Sequence, residues 1–172
     1  KLSNNHFFDD MLHIIYATDV DIENLSFYNA FGDAIDIDIS KNIKIFNSNF
    51  FNSKNDGIDL MESSVEIKNV NIYNSKDKAI SIGESSTAKL FNSKLEKNEI
   101  AVAVKDNSKT LINNVNFLNN KNQISAYKKN LQYGSGGEAV VSNSVFKNEK
   151  NVFLSENSKI LITGSEIIGD IK

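Results

Sequence analysis

The stretch VDIENLSFYN at residues 20–29 returns as NIKIFNSNFFN at 42–52 and as VEIKNVNIYN at 65–74. Further copies are AKLFNSKLEK at 88–97, TLINNVNFLN at 110–119, AVVSNSVFKN at 139–148 and ILITGSEIIG at 160–169. The shared rule is apolar-x-apolar-x-Asn-x-x-apolar-x-Asn. Aligned on the first Asn, the copies stand at Asn24, Asn47, Asn69, Asn92, Asn114, Asn143 and Gly164, with steps of 23, 22, 23, 22, 29 and 21 residues. A second ladder lies five residues on, at Asn29, Asn52, Asn74, Lys97, Asn119, Asn148 and Gly169. Asn and Gly enter the left-handed backbone region most readily, so both ladders are expected to mark tight bends between short strands.

Between one repeat and the next runs a second pattern: AIDIDI at 34–39, GIDLM at 57–61, AISIG at 79–83 and AVAV at 101–104. Alternation at period two predicts strands with one buried face, pointing Ile35, Ile37, Ile58, Leu60, Ile80, Ile82, Val102 and Val104 inward. Two or three short strands and their bends fill each repeat, leaving no room for a helix. A leucine-rich repeat has a similar period, but it needs a Leu-x-x-Leu-x-Leu skeleton that is absent here. The expected fold is all-β: a single right-handed parallel β-helix of seven or so coils over residues 1–172. Rungs of about 4.8 Å make it a rod roughly 30–35 Å long. Its hand follows the general chirality of parallel connections. Stacked amides at the bends are expected to bond along the rod, and Ser63, Ser86, Ser108 and Ser158, six residues before the first ladder, read as turn residues. The 29-residue step places an inserted, protruding loop at residues 128–137, flanked or occupied by Tyr127 and Tyr133.

Composition removes several function classes. The chain has 172 residues, 40 % of them hydrophobic, with a net charge of −3, which requires neither a nucleic-acid nor a membrane partner. All 19 basic residues are Lys, and Cys, Trp and Pro are absent. There is therefore no disulfide framework, no thiolate metal site and no guanidinium fork. No apolar run approaches the roughly 18 residues of a membrane span. The chain opens at Lys1 with neither an initiator Met nor an apolar leader, so a piece of a longer protein is expected. Open β-helix ends expose strand edges, which favours either capping by further residues or end-to-end self-association.

The register extends backward, because FDDMLHII at 8–15 aligns with FGDAIDID at 31–38. Read vertically, one outward row is His13, Asp36, Asp59, Ser81, Ala103; a second is Asp10, Asp33, Asp56, Lys78; a third is Ile15, Asp38, Met61, Gly83, Lys105. Six Asp and a His thus share one face of the first three coils. Carboxylates about 5 Å apart repel by roughly 3 kcal/mol at an effective dielectric of 20, so something must offset them: a raised pKa, a neighbouring Lys78 or His13, or a bound cation. Three readings follow. Oxygen-rich Asp10, Asp33, Asp36, Asp56 and Asp59 suit Ca²⁺. Alternatively, His13, Asp36, Asp56 and Asp59 form an acid/base set flanking a glycosidic bond. The third is that Asp merely keeps the strand edges solvated. Asp33, Asp38, Lys78, Tyr127 and Tyr133 are the candidates for contact with a ligand. His6 is isolated in a polar stretch, Asn24-Leu25-Ser26 is a lone sequon, and Asn52-x-Lys54-x-Asp56-Gly57 fails as an EF-hand loop because Lys and Ser63 occupy ligand positions.

At Asn55-Asp56-Gly57-Ile58-Asp59, with Asp77 further on, the chain resembles the polygalacturonases. That resemblance implies Asp56 as the first catalytic Asp and Asp77 as the first of a following pair. The second of the pair is Lys78, the family's His position falls near Glu99, and its Arg has no counterpart here, which argues against pectin hydrolysis. Pectate lyases use an Arg base and are excluded more firmly. Over nearly its whole length, through DDMLHIIYATDV, GDAIDIDISKNI, NDGIDLMESS, DKAISIGESS, AVAVKDNS and AYKKNLQYGSGG, the chain resembles β-helix repeat regions of large bacterial surface proteins, some of which carry CotH-like kinase domains. This implies a secreted or cell-surface location and no assigned reaction. The resulting expectation is a non-catalytic module presenting an acidic, cation-binding face to a polysaccharide or surface protein; the alternative is a carbohydrate-active hydrolase or epimerase-like enzyme.

Overall fold

A computed structural model describes residues 2, 3 and 9–172; His6, and Phe8 at the start of the backward-extended register, lie outside the described residues. Each coil contributes a strand to each of three parallel sheets. Sheet I stacks His13–Ile15, Ile35–Asp38, Ile58–Met61, Lys78–Gly83, Ile100–Lys105, Asn122–Tyr127 and Phe153–Ser155. Sheet II stacks Asp21–Glu23, Ile43–Phe46, Ser64–Lys68, Thr87–Phe91, Lys109–Asn113, Glu138–Ser142 and Lys159–Thr163. Sheet III stacks Leu2–Ser3, Ser26–Tyr28, Asn49–Phe51, Asn71–Tyr73, Lys94–Glu96, Asn116–Leu118, Val145–Asn151 and Glu166–Ile171. Coils are numbered here by their sheet I strand. No helix is present among the described residues that is long and apolar enough to cross a membrane.

All eight residues expected to point inward are buried, at 0–1 % exposure, in a core that runs the length of the rod. Because each rung repeats the one before, like side chains stack on like. The rings of Phe27 and Phe50 lie parallel with centroids 5.0 Å apart, and those of Phe117 and Phe146 lie 4.5 Å apart. In the last coil the equivalent positions Ile160, Ile162 and Ile167 are only partly buried, having a neighbouring rung on one side.

The bends follow the ladders with one correction. Asn24, Asn47, Asn69, Asn92, Asn114, Asn143 and Gly164 all have φ between 49° and 57°. In the second ladder Asn29, Asn52, Asn74, Lys97 and Asn119 are left-handed too, but Asn148 is not. There the strand runs on through Val145–Asn151 with a register shift between Lys147 and Lys150, and the Asn148 amide donates to the carbonyls of Asn120 and Lys150. A third corner, between sheets I and II, has no compositional signature: Tyr16, Ile39, Glu62, Glu84 and Asp106 occupy it at φ of 48–54°.

Side chains tie the corners together. Asn74 donates to Asn52 and Asn52 to Asn29, at 2.8 and 3.1 Å, and Asn69 donates to Asn47 at 3.1 Å. The serines do more than turn the chain. The hydroxyls of Ser40, Ser63, Ser86 and Ser108 each accept the backbone N–H of the preceding coil at 2.9–3.1 Å, satisfying groups that the corners remove from the sheets. A buried amide chain, Asn98 to Asn120 to Gln123 to Asn151, continues this inside the later coils.

Two stability outcomes are expected in equilibrium urea denaturation. Phe50→Ala removes a fully buried, stacked ring and should cost about 3–5 kcal/mol. Ile39→Asn replaces a β-branched residue at φ 48° with one that tolerates that conformation, and should raise stability by up to about 1 kcal/mol; a lower midpoint would show that the Ile39 side-chain contacts outweigh its backbone cost.

Candidate functional site

Parallel pairing converts the vertical rows of the sequence into neighbours. His13 pairs with Asp36, Asp36 with Asp59 and Asp59 with Ser81; Ile15 pairs with Asp38 and Asp38 with Met61. The nominated residues then divide into two groups with different surroundings.

Asp10, Asp33 and Asp56 sit where the chain enters sheet I, and each turns a carboxylate oxygen onto the next coil's backbone. Asp10 Oδ1 accepts the Asp33 N–H at 3.0 Å, Asp33 Oδ1 accepts the Asp56 N–H at 2.6 Å, and Asp56 Oδ1 accepts the Lys78 N–H at 2.8 Å. Asp33 and Asp56 are 7 % and 2 % exposed. Burial pushes both up to about 7, against the pull of these backbone bonds and, at Asp56, of Lys78. Lys78 is itself buried, with Nζ 3.5 Å from Asp56 Oδ1 and in contact with Asp77. Although burial opposes its charge, the two carboxylates prevail and its pKa is raised.

His13, Asp36, Asp38 and Asp59 face outward. His13 Nε2 lies 2.9 Å from Asp38 Oδ2 and 3.5 Å from Asp36 Oδ2. One ligand atom from each of these three residues falls within 4.8 Å of the others. The imidazole stays accessible, while the two carboxylates are mostly covered, with side-chain exposures of 19 % and 14 %. Burial, then the charges of Asp38 and Asp59, push Asp36 up to about 6. The hydrogen bond to Asp38, helped by Asp36 and Asp10 and opposed by burial, raises His13. Asp59 is occupied differently, its Oδ1 accepting the Leu60 N–H at 3.1 Å.

Of the five aspartates assigned to a cation from sequence, Asp36 alone joins the three-ligand cluster among the described residues; its companions are His13 and Asp38. Asp38 stands in the neighbouring outward row, two residues along the strand from Asp36, and the sequence marks it as a ligand contact rather than as a metal ligand. Tyr127 ends the sixth sheet I strand, where burial raises its phenol pKa and the charges of Lys78, Asp77 and Asp56 also act on it, and Tyr133 lies in the loop that follows. That loop is pinned by a residue with no signal in the repeat: buried Asp106 accepts the N–H groups of Lys129 and Asn130 at 2.7 and 2.9 Å. A groove of about 580 Å³ runs over sheet II, past Glu66, Lys89, Leu111 and Val140, and none of the nominated residues lines it.

The acidic coils tie stability to pH. Asp33, Asp36 and Asp56 bind protons more tightly folded than unfolded, so their contribution to stability is fullest below about pH 4, falls as pH rises toward 7 and levels off above it. His13 acts in the same sense. Denaturation at pH 5 and 8 should show a loss of a few kcal/mol at the higher pH. Asp33→Asn keeps an oxygen for the Asp56 N–H but cannot ionise, and should reduce that difference; an unchanged difference would remove Asp33 from the account.

No curated protein matches the chain. Among solved structures, HetL, a pentapeptide repeat protein involved in heterocyst differentiation regulation from the cyanobacterium Nostoc sp. strain PCC 7120, is similar at 12 % identity, with 95 % of this chain and 89 % of that one covered and a TM-score of 0.20. A family model described as a right-handed beta helix region matches residues 10–167. With its three parallel sheets, corner ladders and continuous core, the chain belongs to that right-handed β-helix family.

Proposed function

We propose that this β-helix is a non-catalytic binding module whose first coils hold a divalent cation and present it to a polysaccharide or surface-protein partner outside the cell. The observation that carries the reading is the convergence of His13, Asp36 and Asp38, whose ligand atoms lie within 4.8 Å of one another on two adjacent rungs. Two mostly covered carboxylates and one accessible imidazole give a net negative site with an open side for solvent or a partner's oxygen. The imidazole favours Mn²⁺ or Zn²⁺ over Ca²⁺, which prefers an all-oxygen shell. Protons compete for the same atoms, because Asp36 is pushed up to about 6 and His13 is raised as well, so affinity should grow from pH 6 to pH 8.

Isothermal calorimetry with Mn²⁺ and with Ca²⁺ tests this. Saturable heat is expected for Mn²⁺, stronger at pH 8 than at pH 6, exceeding that for Ca²⁺ and lost in the Asp36→Asn/Asp38→Asn double variant. Absence of heat at millimolar metal would end the cation reading.

A second reading rests on the protonation of Asp36. A carboxyl at about 6 beside Asp59 on the next rung, about 4.8 Å away by strand spacing, is the pairing a retaining glycosidase uses for acid and nucleophile. It predicts turnover of a glycan substrate that falls at least a hundredfold in both Asp36→Asn and Asp59→Asn; glycan binding without turnover favours the module.

A further inference from the structure

Where the row of Asp10, Asp33 and Asp56 passes into Lys78, an amine and two carboxyl groups meet. The Lys78 side chain does not run out to solvent. Its Nζ folds back to 3.5 Å from Asp56 Oδ1, the same oxygen that accepts the Lys78 backbone N–H at 2.8 Å, and it touches a carboxylate oxygen of Asp77. Side-chain exposure is 11 % for Lys78, 3 % for Asp56 and 43 % for Asp77. A covered amine, a covered carboxyl and a second, more open carboxyl therefore share one point between coils three and four.

An ion pair is the ordinary content of such a contact, but out of water neither ion recovers from its partner all the hydration it has lost. The groups are also arranged for condensation. Burial pushes the Asp56 carboxyl up to about 7, against the pull of Lys78, so much of it carries a proton at neutral pH, and the protonated acid is the form that can lose water. Burial opposes the charge on Lys78, yet the two carboxylates outweigh it and the amine rests protonated. It can attack only after giving up a proton, and Asp77 is in contact to take it. The Lys78 backbone N–H already points at the oxygen where negative charge develops when Asp56 Cγ is attacked. The rival nucleophile is the Gly57 nitrogen, which would close a succinimide with Asp56. Its N–H is held in the ladder instead, donating to the Lys78 carbonyl at 2.9 Å.

We propose that Lys78 and Asp56 condense into an amide, a covalent isopeptide link between the third and fourth coils, with the observed contact as the state before the bond forms. Asp77 takes one proton from the Lys78 ammonium, and the freed amine attacks Asp56 Cγ to form the N–C bond. The Lys78 N–H holds Oδ1 of the tetrahedral centre. Nitrogen then loses a second proton while the protonated Oδ2 gains one, and the Cγ–Oδ2 bond breaks to release water. An ammonium and a carboxylic acid have become an amide, a water and a proton, which Asp77 passes to solvent. No oxidant or further reactant enters. The link uses none of His13, Asp36 and Asp38 and does not rest on the cation reading.

Intact-mass spectrometry of the purified chain, followed over days at physiological temperature, tests the link. A mass lower than that of the sequence by one water is expected. Digestion after Lys should then give a branched peptide joining residues 55–68 to residues 77–89, uncut at Lys78. Lys78→Arg keeps a cation beside both carboxylates but has no amine to condense, and should hold full mass. Asp77→Asn should slow the loss of water about a hundredfold; an equal rate would remove Asp77 from the reaction. Full mass throughout in the wild type, or a lost water confined to 55–68 as the succinimide or to 77–89 as a link to Asp77, would overturn the proposal.

Discussion

Backbone hydrogen bonding from each coil to the next is the constraint from which the rest of this molecule follows. It holds neighbouring strands about 4.8 Å apart in one register, so a residue's partners are the residues one repeat before and after it. Apolar positions therefore build continuous columns such as Ile35, Ile58 and Ile80. The corners interrupt the ladder, and at each of them something must replace the lost bonds. Serine hydroxyls serve at one corner, stacked amides at the others, and aspartate oxygens where the chain enters the first sheet. Asparagine predominates at the bends because it tolerates the left-handed backbone and bonds to its own copy one rung away.

The same stacking is a liability for charge. A column of like residues in a core gains contact with every rung, but a column of carboxylates gains repulsion. The first three coils resolve this locally. Asp33 and Asp56 are taken out of water and bonded to backbone amides, Lys78 moves in against Asp56, and His13 sits between Asp36 and Asp38. The compensation is incomplete, since burial still drives three of these carboxyls toward neutrality near pH 6 to 7. A face held in this state is stabilised by taking up protons.

In the later coils the same outward row carries no charge. The hydroxyls of Ser81 and Ser125 lie on an outward face that is covered without giving them a hydrogen-bond partner among the described residues. One outward row thus passes from His13, Asp36 and Asp59 to Ser81, Ala103 and Ser125 on a backbone that keeps the same pairing.

The repeat alone determined the strands, the inward columns, the first corner and the vertical rows, because in a solenoid spatial neighbours are separated by a constant number of residues and a period can be counted. It also placed His13, Asp36 and Asp59 in one column. Side-chain direction at the rims was beyond counting. That Asp33 and Asp56 turn onto the backbone while Asp38 turns to His13 is visible only once the coils are stacked. Left-handed Ile39 and Glu62 carry no residue preference that would announce a bend, and Asn148, identical in letter to its ladder mates, lost its bend to a register shift. Lys105 reads as an ordinary surface lysine until Gly83, one rung away, gives it space to lie down. Periodicity is a property of the chain, whereas burial and pairing of an outward side chain are set by neighbours on three rungs at once, and only the assembled coil specifies those.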